Sequence, residues 1–239
     1  MSKPKLVYSL APIGLALIVG LLFRDVFVQK GVAMKQRLRG QHTVEDRLTQ
    51  FEASVKARLA DDFAAIDVSY PPREMTLVGL KEEKQLEVWV SNPPKLLKTY
   101  PILAASGHAG PKLKEGDKQV PEGLYRIESL NPNSLYHLAL RVNYPSPFDQ
   151  KMGAADGRTD LGSDIMIHGN RVSIGCLAMG DEAAEELFVL AARTGVKNIR
   201  VILSPVDFRV RNLPAGAGQT PTWTTVLYEE IRAALEPLQ

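Results

Sequence analysis

Residues 166–181 read MIHGNRVSIGCLAMGD and contain Cys176, the only cysteine of a 239-residue chain, eight positions after His168, one of its four histidines. Each stands beside a glycine, Gly169 or Gly175, in otherwise small and apolar surroundings. A thiol becomes a nucleophile where a nearby base or positive setting favours thiolate. His168, delivered by a short strand expected over 164–167, is such a base, and Cys176 ends the tight loop that follows. Gly175 has no Cβ to hold a carbonyl substrate away from the backbone, so the N–H groups of Gly175 and Cys176 are candidates for an oxyanion hole. No acidic residue separates His168 from Cys176. The third, orienting member is therefore expected to be a backbone carbonyl, that of Gly169, by the logic of a catalytic triad. Two plainer readings compete. A lone cysteine is commonly a small buried hydrophobe. A zinc site needs three or four ligands, and a single cysteine with scattered histidines does not supply them; no metal or cofactor is expected.

Composition allows one good-sized domain with attachments. Hydrophobic residues make up 45% and charged residues 23% of the chain, which is ordinary globular usage. A net charge of +2, with no basic block interleaved with aromatics, excludes nucleic acid as a partner. One cysteine also excludes an intrachain disulfide.

Residues 6–23, LVYSLAPIGLALIVGLLF, carry no charge. As a helix such a run covers about 27 Å, close to the thickness of a bilayer core. Lys3 and Lys5 precede it in the manner of an export signal, and Arg24 and Asp25 follow. An uncleaved anchor in the inner membrane is expected, with residues 1–5 cytoplasmic and the rest outside. The alternative is a cleaved signal, with Gly31-Val32-Ala33 as a small-residue cleavage site. The basic residues after the run outnumber those before it, so the positive-inside count opposes this orientation.

Thr43-Val44-Glu45-Asp46 has the form of a capping box. Val44, Leu48, Phe51, Val55, Leu59, Phe63 and Ile66 then draw one apolar stripe along a helix that Tyr70-Pro71-Pro72 breaks. Strands are expected over 76–80, 85–90, 99–105, 123–129, 135–144, 164–167 and 199–204. Asp181 reads as the cap of a helix that stops at Gly195. A Gly/Pro loop over 213–221 leads to a last amphipathic helix with Trp223, Leu227, Ile231 and Leu235. The expected fold is thus mainly β with flanking helices (α+β). Its parts are the anchor at 6–23, a juxtamembrane segment and amphipathic helix at 24–72, a catalytic domain at 73–212, and a loop and helix at 213–239.

His168-Gly169 followed by Ser173-Ile174-Gly175-Cys176 resembles the signature of the L,D-transpeptidase (YkuD-type) catalytic domain, in which a His-Gly pair precedes a Ser/Thr-x-Gly-Cys element. The whole stretch looks most like the YafK-like branch. Upstream, Gly110-Pro111-Lys112, Val120-Pro121-Glu122-Gly123-Leu124-Tyr125-Arg126-Ile127, Asn131-Pro132-Asn133-Ser134, His137 and Asn143-Tyr144-Pro145 extend the likeness over about residues 77 to 212. The resemblance implies a β-sandwich or barrel-like domain on the outer side of the membrane. It further implies peptidoglycan stem peptides as substrate, Cys176 as nucleophile and His168 as general base and acid, with Ser173, Gly175 and Gly169 in support. In the family the thiolate attacks the carbonyl of the L-centre of meso-diaminopimelate and forms a thioester that an amine or water resolves. This chain departs from the broader family in a shorter His-to-Cys loop, in Ile174 for histidine, and in Ala178 for a polar residue. Weaker positioning of an acceptor amine then favours hydrolysis, and the branch points to release of wall-linked lipoprotein. Cross-linking or protein attachment is the alternative, and a non-catalytic envelope-binding protein is the reading from another class. His137, His108 and Arg209 are the candidate substrate contacts, with Arg211 beside the last. Arg158, Asp160 and Asp164 read as loop residues.

Overall fold

In the computed structural model, residues 41–213 and 220–239 are described. The expected anchor, the segment up to residue 40 and the middle of the Gly/Pro loop lie outside them. Among the described residues no helix is long and apolar enough to cross a membrane.

Helix α1 (Val44–Ala65) begins at the capping box. The Thr43 N–H donates to Asp46 Oδ2 at 2.7 Å and the Asp46 N–H to Thr43 Oγ1 at 3.1 Å, which satisfies two N–H groups left over at a helix start. Its stripe buries Leu48, Val55, Leu59 and Phe63, as the spacing predicts. Strands β1 (Met75–Leu80), β2 (Gln85–Val90) and β3 (Lys95–Pro101) follow as a meander. β3 starts earlier than the expected 99–105 and stops at Pro101. Only Ala104 beyond it bridges to the sheet, through Ala178. The lysines of KLLK conceal a strand that pairs with β2 through an irregularity, Leu97 being the extra residue between Leu96 opposite Trp89 and Lys98 opposite Val88.

β4 (Gly123–Ser134) runs on through Asn131-Pro132-Asn133, and β5 (His137–Val142) starts later than the expected 135. Leu135 and Tyr136 form the turn between them. Helix α2 (Pro147–Ala155) was not anticipated, although its signals are local: Ser146 and Asp149 make a capping box and proline occupies the first turn. β6 (Met166–His168) and β7 (Leu177–Ala178) flank the His–Cys loop. Helix α3 (Asp181–Thr194) is capped by Gly180, not by Asp181, which is its first helical residue. Gly195, with φ +83°, ends it as expected. β8 (Ile199–Ser204) and helix α4 (Thr224–Leu235) complete the order.

The strands make one mixed sheet in the order β3-β2-β1-β8-β4-β5-β6-β7, with β1–β8 and β6–β7 parallel and the rest antiparallel, and it curls into a half-barrel. Alternation sorts its residues by face. Leu77, Val88 and Val201 join the core with α1 and α3, whereas Val78, Leu80, Trp89 and Ile202 pack with α4. Glu186 of α3 is buried and ties these elements together. It accepts from Arg58 Nε at 2.6 Å, Lys98 Nζ at 3.1 Å and the Tyr100 hydroxyl at 2.7 Å.

A second buried pair fixes the long loop after β3. Lys81 Nζ lies 2.8 Å from Glu122 Oε1 and donates to the Gly110 and Val120 carbonyls. Glu122 also accepts from the Gly110 N–H and from the Tyr228 hydroxyl of α4. A buried charge pair is tolerated where further hydrogen bonds satisfy both groups. Here those bonds hold in place the loop that reaches Gly175.

Candidate active site

Pairing in register sets side by side the two strands that flank the His–Cys loop. Ile167 stands opposite Leu177 and His168 opposite Ala178; Ile167 and Leu177 both point into the core. His168, and Cys176 by the same alternation one step before β7, therefore belong to the other face. The loop between them is closed by the Met179 N–H on the His168 carbonyl, at 2.8 Å, and by the Gly180 N–H on the Asn170 carbonyl, at 2.9 Å.

The imidazole is 1% exposed. Its Nδ1 lies 2.6 Å from the Gly169 carbonyl oxygen. A carbonyl only accepts, so Nδ1 carries the proton and Nε2 is left with its lone pair. Burial holds His168 below the ordinary histidine value of 6.5, partly offset by the Gly169 carbonyl. Tyr136 stacks on the ring with centroids 4.6 Å apart. Gly169 is required for this arrangement. A Cβ there would come within 2.7 Å of both Asp181 Oδ1 and the Tyr136 carbonyl. Asp181 Oδ1 instead accepts the Asn170 N–H at 2.7 Å, which anchors the loop to the start of α3.

Cys176 is half-buried. Its thiol faces the Asp164 carbonyl at 3.4 Å. Burial pushes the thiol up, the Asp164 carboxylate adds to this, and the Met166 N–H and the Lys112 ammonium act the other way. Burial thus disfavours the charged form of both groups. Ser173 Oγ donates to the Cys176 carbonyl at 2.6 Å and accepts the Cys176 N–H at 3.0 Å, a local turn that serine hydroxyls favour. Gly175 adopts φ +82°, where glycine is at no disadvantage. Its N–H donates to Ser106 Oγ at 2.7 Å. Both N–H groups assigned to an oxyanion hole are therefore engaged by serine hydroxyls in this state.

The other candidates lie elsewhere. His137 Nε2 pairs with Glu185 Oε1 at 3.0 Å and its ring meets Phe51 edge-on, a joint between β5, α3 and α1. His108 is exposed and borders a cavity of about 210 Å³ with Gln119 and Asp117. The Arg209 guanidinium is taken up by Asp207, Glu87 and the Leu238 carbonyl. It lies over Trp89, on the side of the sheet that α4 covers, and is not brought to the His–Cys element. Arg211 is paired with Glu83 at 2.6 Å. Ala178 of β7 is fully buried, stands opposite His168 in register and offers no polar side-chain group. Ser106, Tyr136 and the Asp164 carbonyl escaped sequence reasoning, since nothing in their local spacing marks them. Among the described residues no group of three or more His, Cys, Asp or Glu side chains converges as a metal site.

The sheet ends in two short strands, with a histidine closing β6 and the chain's sole thiol one residue before β7. The YkuD model, the L,D-transpeptidase catalytic domain, matches residues 67–206, and the chain belongs to that family. YafK of Escherichia coli (strain K12), provisionally named an L,D-transpeptidase, is 38% identical over 112 residues. That match spans 45% of this chain and 43% of YafK, less than half its length. Among solved structures, the helical cell shape determining protein Pgp2 of Campylobacter jejuni aligns at 22% identity and a TM-score of 0.46, over 56% of this chain and 48% of that one. L,D-transpeptidase 1 of Mycobacterium tuberculosis aligns at 17% identity and 0.34, over 55% and 62%.

Proposed function

We propose that the protein is a cysteine acyl-transfer enzyme acting on peptidoglycan stem peptides in the cell envelope, and that it resolves its acyl-enzyme chiefly with water, releasing wall-linked lipoprotein. The observation that carries the chemistry is the oriented, neutral His168, whose Nδ1–H is committed to the Gly169 carbonyl on the strand paired with the one that follows Cys176. In this reading His168 Nε2 takes the thiol proton as Cys176 Sγ adds to the carbonyl of the L-centre of meso-diaminopimelate. A developing oxyanion is a stronger acceptor than a neutral hydroxyl. It would draw the Gly175 and Cys176 N–H groups away from Ser106 and Ser173. Collapse expels the leaving amine, which receives the proton from His168, and leaves a thioester. Water then gives a proton to Nε2, adds to the thioester carbonyl, and the carbon–sulfur bond breaks to restore the thiol.

Hydrolysis is supported by the loop's outer edge. Ile174 is 73% exposed and Val172 61% exposed. Neither side chain offers a hydrogen bond with which to aim an acceptor amine, and such positioning is what lets an amine compete with water. Ala178, buried opposite His168, likewise offers no hydrogen bond, so the preference rests on these apolar positions and the YafK likeness. The second reading, formation of cross-links, keeps the same nucleophile and base. Purified protein should be incubated with tetrapeptide muropeptides and, separately, with wall fragments that carry a bound lipoprotein peptide. Release of the peptide with few new dimers is expected. Abundant diaminopimelate–diaminopimelate dimers, with the lipoprotein linkage intact, would leave a transpeptidase instead.

A further inference from the structure

On the face of the sheet away from α1 and α3, Arg126 of β4 and Arg200 of β8 stand directly opposite each other in register. Like charges in that relation repel, and β8 is an inner strand, where burial is the ordinary outcome. Both arginines are nevertheless exposed. Among the described residues neither guanidinium has a hydrogen-bond or ion-pair partner. Arg126 is held in place by its backbone, whose N–H donates to Asn143 Oδ1 at 2.8 Å. The two arginines floor a groove of about 770 Å³ whose walls include Glu74, Ser91, Asn92, Leu124 and Asn143. Leu124 is 43% exposed within it. No residue of the His–Cys element lines this groove.

We propose that this groove is a second binding site, for an anionic peptide whose carboxylates lie on the Arg126–Arg200 pair. Adjacent guanidinium forks match carboxylate oxygens in bidentate fashion and relieve each other's repulsion when occupied. A purely phosphate ligand suits the groove less well, because Glu74 subtracts charge and apolar and amide side chains make up much of the wall. A peptide uses all of these: carboxylates on the arginines, an ammonium at Glu74, backbone groups on Asn92 and Asn143, and aliphatic carbons on Leu124. Choosing a wall stem peptide as the occupant rests on the functional reading above; the arginine site itself does not. Such a site would hold the protein on its polymer while Cys176 acts elsewhere on the molecule.

The test uses the ¹⁵N-labelled full chain and the tripeptide L-alanyl-γ-D-glutamyl-meso-diaminopimelate, which lacks the bond that the thiol would cleave. Saturable shifts are expected at the amides of residues 124–127 and 199–202, separately from any at 166–181. Arg126→Gln with Arg200→Gln should weaken the first set at least tenfold and leave the second in place. The same tripeptide with its carboxylates amidated should bind the groove at least tenfold more weakly. Without ligand, the double variant should melt at the same temperature as the parent or higher, since a repulsion has been removed. Unchanged affinity in the double variant, equal binding of the amidated tripeptide, displacement by inorganic phosphate at concentrations equal to the tripeptide's, or no shift at the groove would each overturn the assignment. Because no turnover is measured, these outcomes are independent of whether Cys176 proves catalytic.

Discussion

At the scale of single residues, two neutral partners decide how the site would work. A buried His168 with a lowered pKa stays a competent base to more acidic pH than a free imidazole would. The acid limb of kcat/KM should therefore have its midpoint below 6.5, the ordinary histidine value; a midpoint at or above that value would contradict the buried, neutral base. The same depression acts on stability. Between the two pKa values the unfolded chain binds the extra proton, so His168 disfavours folding increasingly as pH falls below 6.5 towards its folded value. Cys176→Ser keeps the Ser173 turn, which uses only the backbone of residue 176, but has no thiolate to offer. Its turnover should drop by several orders of magnitude with an unchanged circular dichroism spectrum, and retention of a tenth of the activity would exclude this nucleophile. Tyr136, stacked on the imidazole from the β4–β5 turn, has no counterpart in the sequence reading, because the contact joins residues 32 apart through a hairpin.

At the scale of elements, α1 shows how far local signals reach. Its capping box and its stripe are effects between neighbours in sequence, and both are realised, whereas the helix stops at Ala65, ahead of the expected breaker Tyr70-Pro71-Pro72, with Asp67 at φ +51° just beyond its end. Its stability comes from docking. Leu59 is fully buried among the core side chains, so Leu59→Ala should cost about 2–5 kcal/mol, read as a lower midpoint in urea with the slope unchanged. A cost under about 1 kcal/mol would mean that α1 rests loosely on the domain. β3 and β4 mark the limit. Lys95-Leu96-Leu97-Lys98 and Asn131-Pro132-Asn133 carry poor strand signals, yet both belong to strands because neighbouring strands pair with Lys95, Leu96 and Lys98 and with Asn131 and Ser134, carrying the chain across the irregular positions between. Propensity for strand is largely a matter of such context. Helix α2 is the opposite case: its Ser146-Pro147 start and Asp149 were readable in the sequence.

At the scale of the whole molecule, one mixed sheet carries its two cores on opposite faces, and the candidate catalytic strands are its last two. The Lys81–Glu122–Tyr228 connection links the C-terminal helix to the loop that presents Ser106, so both ends of the domain bear on the site. Residues 6–23 lead to a prediction about the complete protein. Were residues 6–23 to cross the membrane as their composition suggests, the domain would lie on the outer side of the inner membrane. Protease added to spheroplasts should digest it. Protection until the membrane is lysed would place it in the cytoplasm and vindicate the positive-inside count.

The sequence by itself determined the candidate His168–Cys176 pair, the glycines beside it and the amphipathic helices. A short loop keeps His168 and Cys176 close whatever surrounds them, and caps and stripes act within one or two turns. The tertiary structure alone decided that Ser106 holds the Gly175 N–H, that Ala178 stands opposite His168 and that Arg209 is spent on Glu87 as well as on its near neighbour Asp207. It also decided that Arg126 meets Arg200. The two strand pairings depend on register, which is set by the burial of one face of a sheet against distant chain segments and not by spacing along the chain.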